Sequence, residues 1–135
     1  MMDKETFANL RRPIAVVVDD EPFILMNTSD IISNVGYAIV EATTAEHAYD
    51  FLQEHSSVQL LFTDVQTPGT TDGFELARNV ARRWPDICVV VASIAAVPAP
   101  GDLPENAKFI SEPFSAETVL GVLQERCPHR PRRQV

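Results

Sequence analysis

No apolar run in this 135-residue chain exceeds the length of a strand, so no segment of it can cross a membrane as a helix. The first dozen residues hold Asp3, Lys4, Glu5, Arg11 and Arg12 and no apolar stretch. That excludes a secretory leader and makes a cytoplasmic address the expectation, with residues 1–12 a short N-terminal extension. Cysteine is scarce. Cys88 lies inside Ile87-Cys88-Val89-Val90-Val91 and Cys127 near the end of the chain, and neither stands at a ligand-like spacing to His47, His55 or His129. Both are expected to be unreactive free thiols. Positive charge is scarce too, with a formal net charge of −8. Arg126, Arg130, Arg132 and Arg133 crowd into the last ten residues without an acid among them, so the body sets seven basic residues against all 19 acidic ones. Such a body excludes nucleic acid as its partner. Residues 127–135 are expected to form a basic, Pro/Arg-rich disordered tail. No internal repeat is present, and the length suits one domain with a real core and no room for a separate output domain.

What is present is a regular alternation of strand-like and helix-like segments, the pattern of successive βαβ units around a parallel sheet. Strands are expected at Ile14–Val18, Tyr37–Ala42, Val58–Thr63, Ile87–Ala92 and Lys108–Ser111. Pro22 opens a helix at its first turn, Phe23, Met26, Ile31, Ile32 and Val35 recur near helical spacing, and Gly36 stops it. Thr44 caps a helix carrying Ala45, Ala48, Tyr49 and Leu52, with Glu46 near its positive end. Phe74, Leu76, Ala77, Val80, Ala81 and Trp84 form an apolar stripe that Pro85 ends, and Ser115 caps a last helix with Val119, Leu120, Val122 and Leu123 inward. Between strands four and five, Val97-Pro98-Ala99-Pro100-Gly101-Asp102-Leu103-Pro104 cannot make a regular helix, because an internal proline costs about 3 kcal/mol.

Acid gathers where strands end. Asp64 closes Leu60-Leu61-Phe62-Thr63 just before the turn Val65-Gln66-Thr67-Pro68-Gly69, and Asp19-Asp20 closes Ile14-Ala15-Val16-Val17-Val18. Open α/β sheets keep their chemistry at this edge, and three carboxylates converging there suit a hard cation, Mg²⁺ above all.

Five segments, taken in order, resemble the receiver domain of bacterial two-component response regulators. They are Val17-Val18-Asp19-Asp20-Glu21-Pro22, Thr63 to Gly69, Asp72-Gly73-Phe74-Glu75-Leu76, Val89-Val90-Val91-Ala92-Ser93 and Phe109-Ile110-Ser111-Glu112-Pro113-Phe114. The likeness spans residues 13–126. It implies a flavodoxin-like (βα)5 fold whose parallel five-stranded sheet has the order 2-1-3-4-5, here with the fourth helix short or absent. It further implies a stand-alone, cytoplasmic signalling module that is not an enzyme beyond slow self-dephosphorylation. Such a module takes a phosphoryl group from a sensor histidine kinase and passes the signal to a further protein by contact.

By the same resemblance Asp64 is the phosphoacceptor, Ser93 the switch hydroxyl and Phe109 the switch aromatic. Asp20 and Asp64 are metal ligands, Asp19 acts on the metal directly or through water, and the Gln66 backbone carbonyl completes the shell. Three residues depart from the pattern. Glu112 replaces the usual lysine and adds a fourth carboxylate to the site, Ile94 is bulky after the switch hydroxyl, and Thr67 replaces a methionine. Like charges a few ångströms apart repel strongly where water is excluded, so phosphoryl chemistry should suffer unless Glu112 turns outward to a cation such as Lys108. Glu112 therefore supports an alternative, a pseudo-receiver acting as a phosphorylation-independent binding module or kinase decoy. A hydrolase of the aspartate-nucleophile type would need an acid where Gln66 stands. With the fourth helix lost, any homodimer is expected to use the first and last helices, residues 22–35 and 115–126.

Overall fold

The computed structural model describes residues 12–55 and 57–127. The expected N-terminal extension, apart from Arg12, and the tail from Pro128 onward lie outside the described residues. Five strands, β1 (Ile14–Val18), β2 (Ala38–Ala42), β3 (Val58–Asp64), β4 (Cys88–Ser93) and β5 (Lys108–Ser111), form one parallel sheet in the order β2-β1-β3-β4-β5. This is the order expected of the flavodoxin-like receiver fold. Four helices are described: α1 (Pro22–Val35), α2 (Ala45–Glu54), α3 (Gly73–Arg83) and α4 (Ala116–Arg126). Among the described residues, no helix joins β4 to β5.

Strand periodicity divides the core into two layers. Val16 and Val18 of β1, Leu61 of β3 and Val89 and Val91 of β4 point to one face, where Ala45, Ala48 and Leu52 of α2 and Leu76, Ala77 and Val80 of α3 cover them. Ala15, Val17, Leu60, Phe62, Val90 and Ala92 point to the other, under Leu25 and Ile32 of α1 and Val119, Val122 and Leu123 of α4. The first and last helices thus share a face of the sheet, as the topology requires. Helix α1 differs from expectation in its buried stripe. Leu25, Thr28, Ser29 and Ile32 face inward, whereas Phe23 and Met26 are 75% and 54% exposed.

Local chemistry fixes where the helices begin and end. The Glu21 carboxylate accepts from Phe23 N–H ahead of Pro22, and Gly36 closes α1 at φ 117°, a left-handed conformation that glycine takes without a Cβ penalty. Thr44 Oγ1 accepts from His47 N–H, Asp72 Oδ1 from Glu75 N–H and Ser115 Oγ from Thr118 N–H, each satisfying an orphan donor of a first turn.

The β4–β5 connection is an ordered loop. Ala99 N–H donates to Asp102 Oδ2 at 2.8 Å, Asp102 N–H returns a bond to Ala99 O at 3.0 Å, and Arg78 of α3 reaches the Asp102 carbonyl at 2.9 Å. Ala96, Leu103 and Ala107 pack onto the core and cover part of the face a helix would have covered.

The cysteines overturn the expectation of free thiols. Cys88, at the start of β4, and Cys127, just past α4, form a disulfide with a Cα–Cα distance of 5.3 Å. Cys88 and Cys127 share the core layer that the last helix covers, so two residues 39 apart in sequence are brought together by tertiary packing, which sequence spacing does not report. The boundary of the tail moves with them. Cys127 is 1% exposed and belongs to the folded body.

Candidate functional site

Parallel strands deliver their C-terminal residues to one edge, and here that edge is acidic. Asp19 follows β1 and is buried, its N–H donating to Ala42 O at 3.1 Å and its Oδ1 accepting from Glu21 N–H at 2.9 Å. Asp64 ends β3 and is half-buried, and Glu112 follows β5, also half-buried. One carboxylate oxygen from each of Asp19, Asp64 and Glu112 lies within 4.8 Å of the other two. Asp20 is exposed and is not a member of this group, and the Gln66 side chain is exposed beyond it.

The edge is held by backbone. Val65 N–H donates to Ala92 O at 3.0 Å, Glu112 N–H donates to Ser93 O at 2.8 Å, and Gly73 N–H donates to Val65 O at 2.8 Å. Gly73 has no substitute here. A Cβ at that position would collide with the Asp64 carbonyl oxygen and stand 2.8 Å from the Val65 Cα.

Glu46 supplies a positioning contact that sequence reading missed. Its Oε2 accepts from Thr70 N–H, Thr70 Oγ1 and Thr71 N–H, each at 3.1 Å, so the first turn of α2 clamps the loop that follows Asp64. Thr67 Oγ1 donates to Thr71 O at 3.0 Å within the same loop. In the sequence Glu46 shows only as a first-turn acid, and nothing there marks its reach across 24 residues.

Electrostatics follow from the crowding. Burial first, then the charges of Asp19 and Glu112, push the Asp64 carboxyl up to about 7, against backbone N–H groups of Val65 and Gln66 that pull it down. Burial raises Asp19, reinforced by Asp20 and Glu21 and opposed by the Glu21 N–H bond. Burial and the Asp19 charge raise Glu112. The Glu112 carboxylate therefore faces the acids, and the outward turn to Lys108 is not the arrangement adopted.

Ser93 is buried at the end of β4, and its Oγ accepts from Ala95 N–H at 3.3 Å and Ala96 N–H at 2.9 Å. Those bonds use lone pairs of the hydroxyl and leave its proton uncommitted. Phe109 is half-buried in β5 with its ring stacked on Phe74 of α3 at 6.4 Å. Ile94, next to Ser93, is 69% exposed.

A strand-end acid triad on a 2-1-3-4-5 sheet narrows the relatives, and the match is direct: the response regulator receiver domain family covers residues 15–101. The chain belongs to that family. The receiver is 29% identical over 114 residues to the sensor kinase CckA of Brucella abortus and 26% identical over 78 residues to the transcriptional regulatory protein ComA of Bacillus subtilis. These alignments take in 82% and 56% of the receiver but 12% and 36% of the two relatives, so it spans a minor part of either. A response regulator receiver protein from Sinorhizobium medicae superimposes with a TM-score of 0.77 over 90% of this chain and 98% of its own, at 17% identity. At that identity the likeness speaks for the fold. The receiver thus carries the module of two-component signalling, and no described helix is long and apolar enough to cross a membrane.

Proposed function

We propose that this receiver accepts a phosphoryl group on Asp64 from a sensor histidine kinase, with a divalent cation such as Mg²⁺, and signals by protein contact. The observation that carries this reading is the position of Asp64 at the end of β3 with oxygens of Asp19 and Glu112 within 4.8 Å. The donor set fits the cation: hard carboxylate oxygens, with the Gln66 carbonyl on the adjoining turn and Asp20 on the open side. When bound, the cation supplies positive charge to the phosphoryl oxygens.

The chain's own residues do the rest. An Asp64 carboxylate oxygen attacks phosphorus as the donor's P–N bond breaks, and the donor imidazole leaves with the bonding pair. Ser93 has an O–H proton to give to a phosphoryl oxygen while keeping its bonds to Ala95 and Ala96. Phe109, packed on Phe74, is the ring placed to move with it. Such a module is a phosphoacceptor rather than an enzyme acting on other substrates. Its partners are a histidine kinase and a downstream protein. For self-association we propose α1 and α4, which lie on one face, with exposed Phe23 and Met26 on α1.

One observation favours a second reading. Glu112 turns inward, where a lysine would have balanced the acids, and this supports a pseudo-receiver that binds its partner without phosphate, or a kinase decoy. Intact mass after incubation with acetyl phosphate and Mg²⁺ separates the two. The first reading expects one added phosphoryl group, lost on treatment with hydroxylamine and absent from Asp64→Asn. No mass increase, or label retained in Asp64→Asn on His47 or His55, would overturn it.

A further inference from the structure

Glu112 is held into the acid cluster by its backbone. Ser93 and Ser111 pair across β4 and β5, and Glu112 N–H continues that pairing onto the Ser93 carbonyl, so the side chain that follows is directed at the sheet edge. Lys108 pairs with Val90, three strand positions below Ser93, which places it about 10 Å down the strand from the cluster. Asp19 is more than nine-tenths buried and has one oxygen committed to Glu21 N–H. Three carboxylates in this setting either repel or share a cation. Oxygens on one Mg²⁺ sit about 2.0–2.1 Å from the ion and therefore no more than about 4.2 Å apart. The three oxygens lie within 4.8 Å of one another, close enough for small side-chain rotations to bring all of them onto one ion.

We propose that Glu112 is itself a ligand of the divalent cation at Asp19 and Asp64, so that the bound ion, and not a lysine ammonium, neutralises this edge of the sheet. The inference rests on the cation site proposed above and deepens it. With three protein carboxylates the ion is held more tightly than two would hold it. A phosphoryl oxygen reaching the same ion takes the place of a bound water or of Glu112, and meets an ion whose charge three carboxylates have already offset. The receiver gains cation affinity at the expense of reactivity toward donors, and a protein contact that reads this edge reads cation occupancy.

Mn²⁺ titrations of the full chain, followed by electron paramagnetic resonance and by water-proton relaxation, test it with wild type, Glu112→Gln, Glu112→Lys and Asp64→Asn. Glu112→Gln keeps the side-chain shape, and circular dichroism checks that each variant folds. Removing one carboxylate charge from the ion should weaken Mn²⁺ binding by about tenfold or more, and Glu112→Lys should weaken it further. Relaxation should show at least one additional water on Mn²⁺ bound to Glu112→Lys, whose side chain offers no oxygen. Wild-type binding that Asp64→Asn abolishes but Glu112→Gln leaves unchanged would overturn this proposal alone. Weaker binding of Glu112→Lys with an unchanged water count would also overturn it, because the charge would then act at a distance. Binding indifferent to Asp64→Asn would overturn the cation site itself.

Discussion

Removing the charge of Asp64 should stabilise the fold at neutral and higher pH. The carboxyl has an ordinary value of 3.8 and stands at about 7 in the folded chain. Between those values the folded state holds a proton that the unfolded chain has released, so protons favour folding. The contribution is fully present below about pH 4 and is lost as pH rises through about 7, the reverse of a carboxylate held in an ion pair. Asp19 and Glu112 are shifted the same way and add to the trend. Glu46 runs against it, because the bond from its own backbone N–H, and after it those from Thr70 and Thr71, lower its value, so its clamp weakens only in acid.

At 1.36 kcal/mol for each tenfold change in proton affinity, the Asp64 shift has a ceiling of about 4 kcal/mol. Asp64 is half-buried, and water screens a group so placed, so about 2 kcal/mol is the working figure. With a urea slope of about 2 kcal/mol/M, Asp64→Asn should raise the unfolding midpoint by about 1 M at pH 8 and by less than half of that at pH 5. Equilibrium urea unfolding followed at 222 nm, at pH 5 and pH 8 with and without Mg²⁺, is the assay. Wild type should be less stable at pH 8 than at pH 5, and Mg²⁺ should restore stability at pH 8, because a ligand that binds only the folded state adds to its stability. A wild-type midpoint that is flat between the two pH values, or an Asp64→Asn variant no more stable at pH 8, would refute the claim that this site stores charge repulsion.

Three further outcomes are expected. Reduction of Cys88–Cys127 reopens a loop of 39 residues and should lower stability by up to about 4 kcal/mol, which thermal unfolding with and without dithiothreitol would show, and Cys127→Ser should match the reduced chain. If the reductant leaves the midpoint of a chain shown to be oxidised unchanged, the staple contributes nothing. Gly73→Ala should cost about 1–3 kcal/mol, because its methyl group meets backbone that cannot yield without moving Asp64, and a midpoint equal to wild type would show the turn has slack. Glu46→Gln should speed amide exchange at Thr70 and Thr71 and leave β1 and β3 protected, whereas unchanged exchange would show that the clamp is not what orders this loop.

The fold was legible because its signals are local and repeated. Five strand-sized apolar runs, a helix start at Pro22, caps at Thr44 and Ser115, and a proline-dense stretch at 97–104 each speak through neighbours in sequence, and the strands, these helix starts and the missing helix lie where those signals put them. Asp19 and Asp64 were legible as a pair because a parallel sheet carries strand ends to one edge. What escaped the sequence depends on side-chain direction or long-range packing. Glu112 could have turned either way, and only the backbone bond to Ser93 directs it inward. The cysteines meet because α4 packs on the layer of the core that holds Cys88, and Glu46 reaches Thr70 because α2 lies beside the loop. Leu25 shares the inner face of α1 with Ile32, whereas Phe23 and Met26 lie about 180° and 120° round the helix from Ile32 and take the outer.

The absent helix alters how a change at this edge can travel. Asp64 is joined to β4 through Val65 N–H and Ala92 O, and β4 to β5 through Glu112 N–H and Ser93 O, so the acid-bearing ends of β3 and β5 are coupled through β4 by backbone bonds about 3 Å long. The same residue that ties β4 to β5 also starts the loop that replaces the helix, since Ser93 Oγ accepts from both Ala95 and Ala96. A pull on that hydroxyl bears directly on the loop's first turn. Ile94 and Val97, 69% and 82% exposed, flank that turn, and Leu103 anchors the loop's far side on the core. A rigid helix would shift as a body. A loop pinned at Ser93 and Leu103 instead leaves two apolar side chains, Ile94 and Val97, presented outward between its fixed points, so a change at Ser93 would reach the surface through them rather than through a helix.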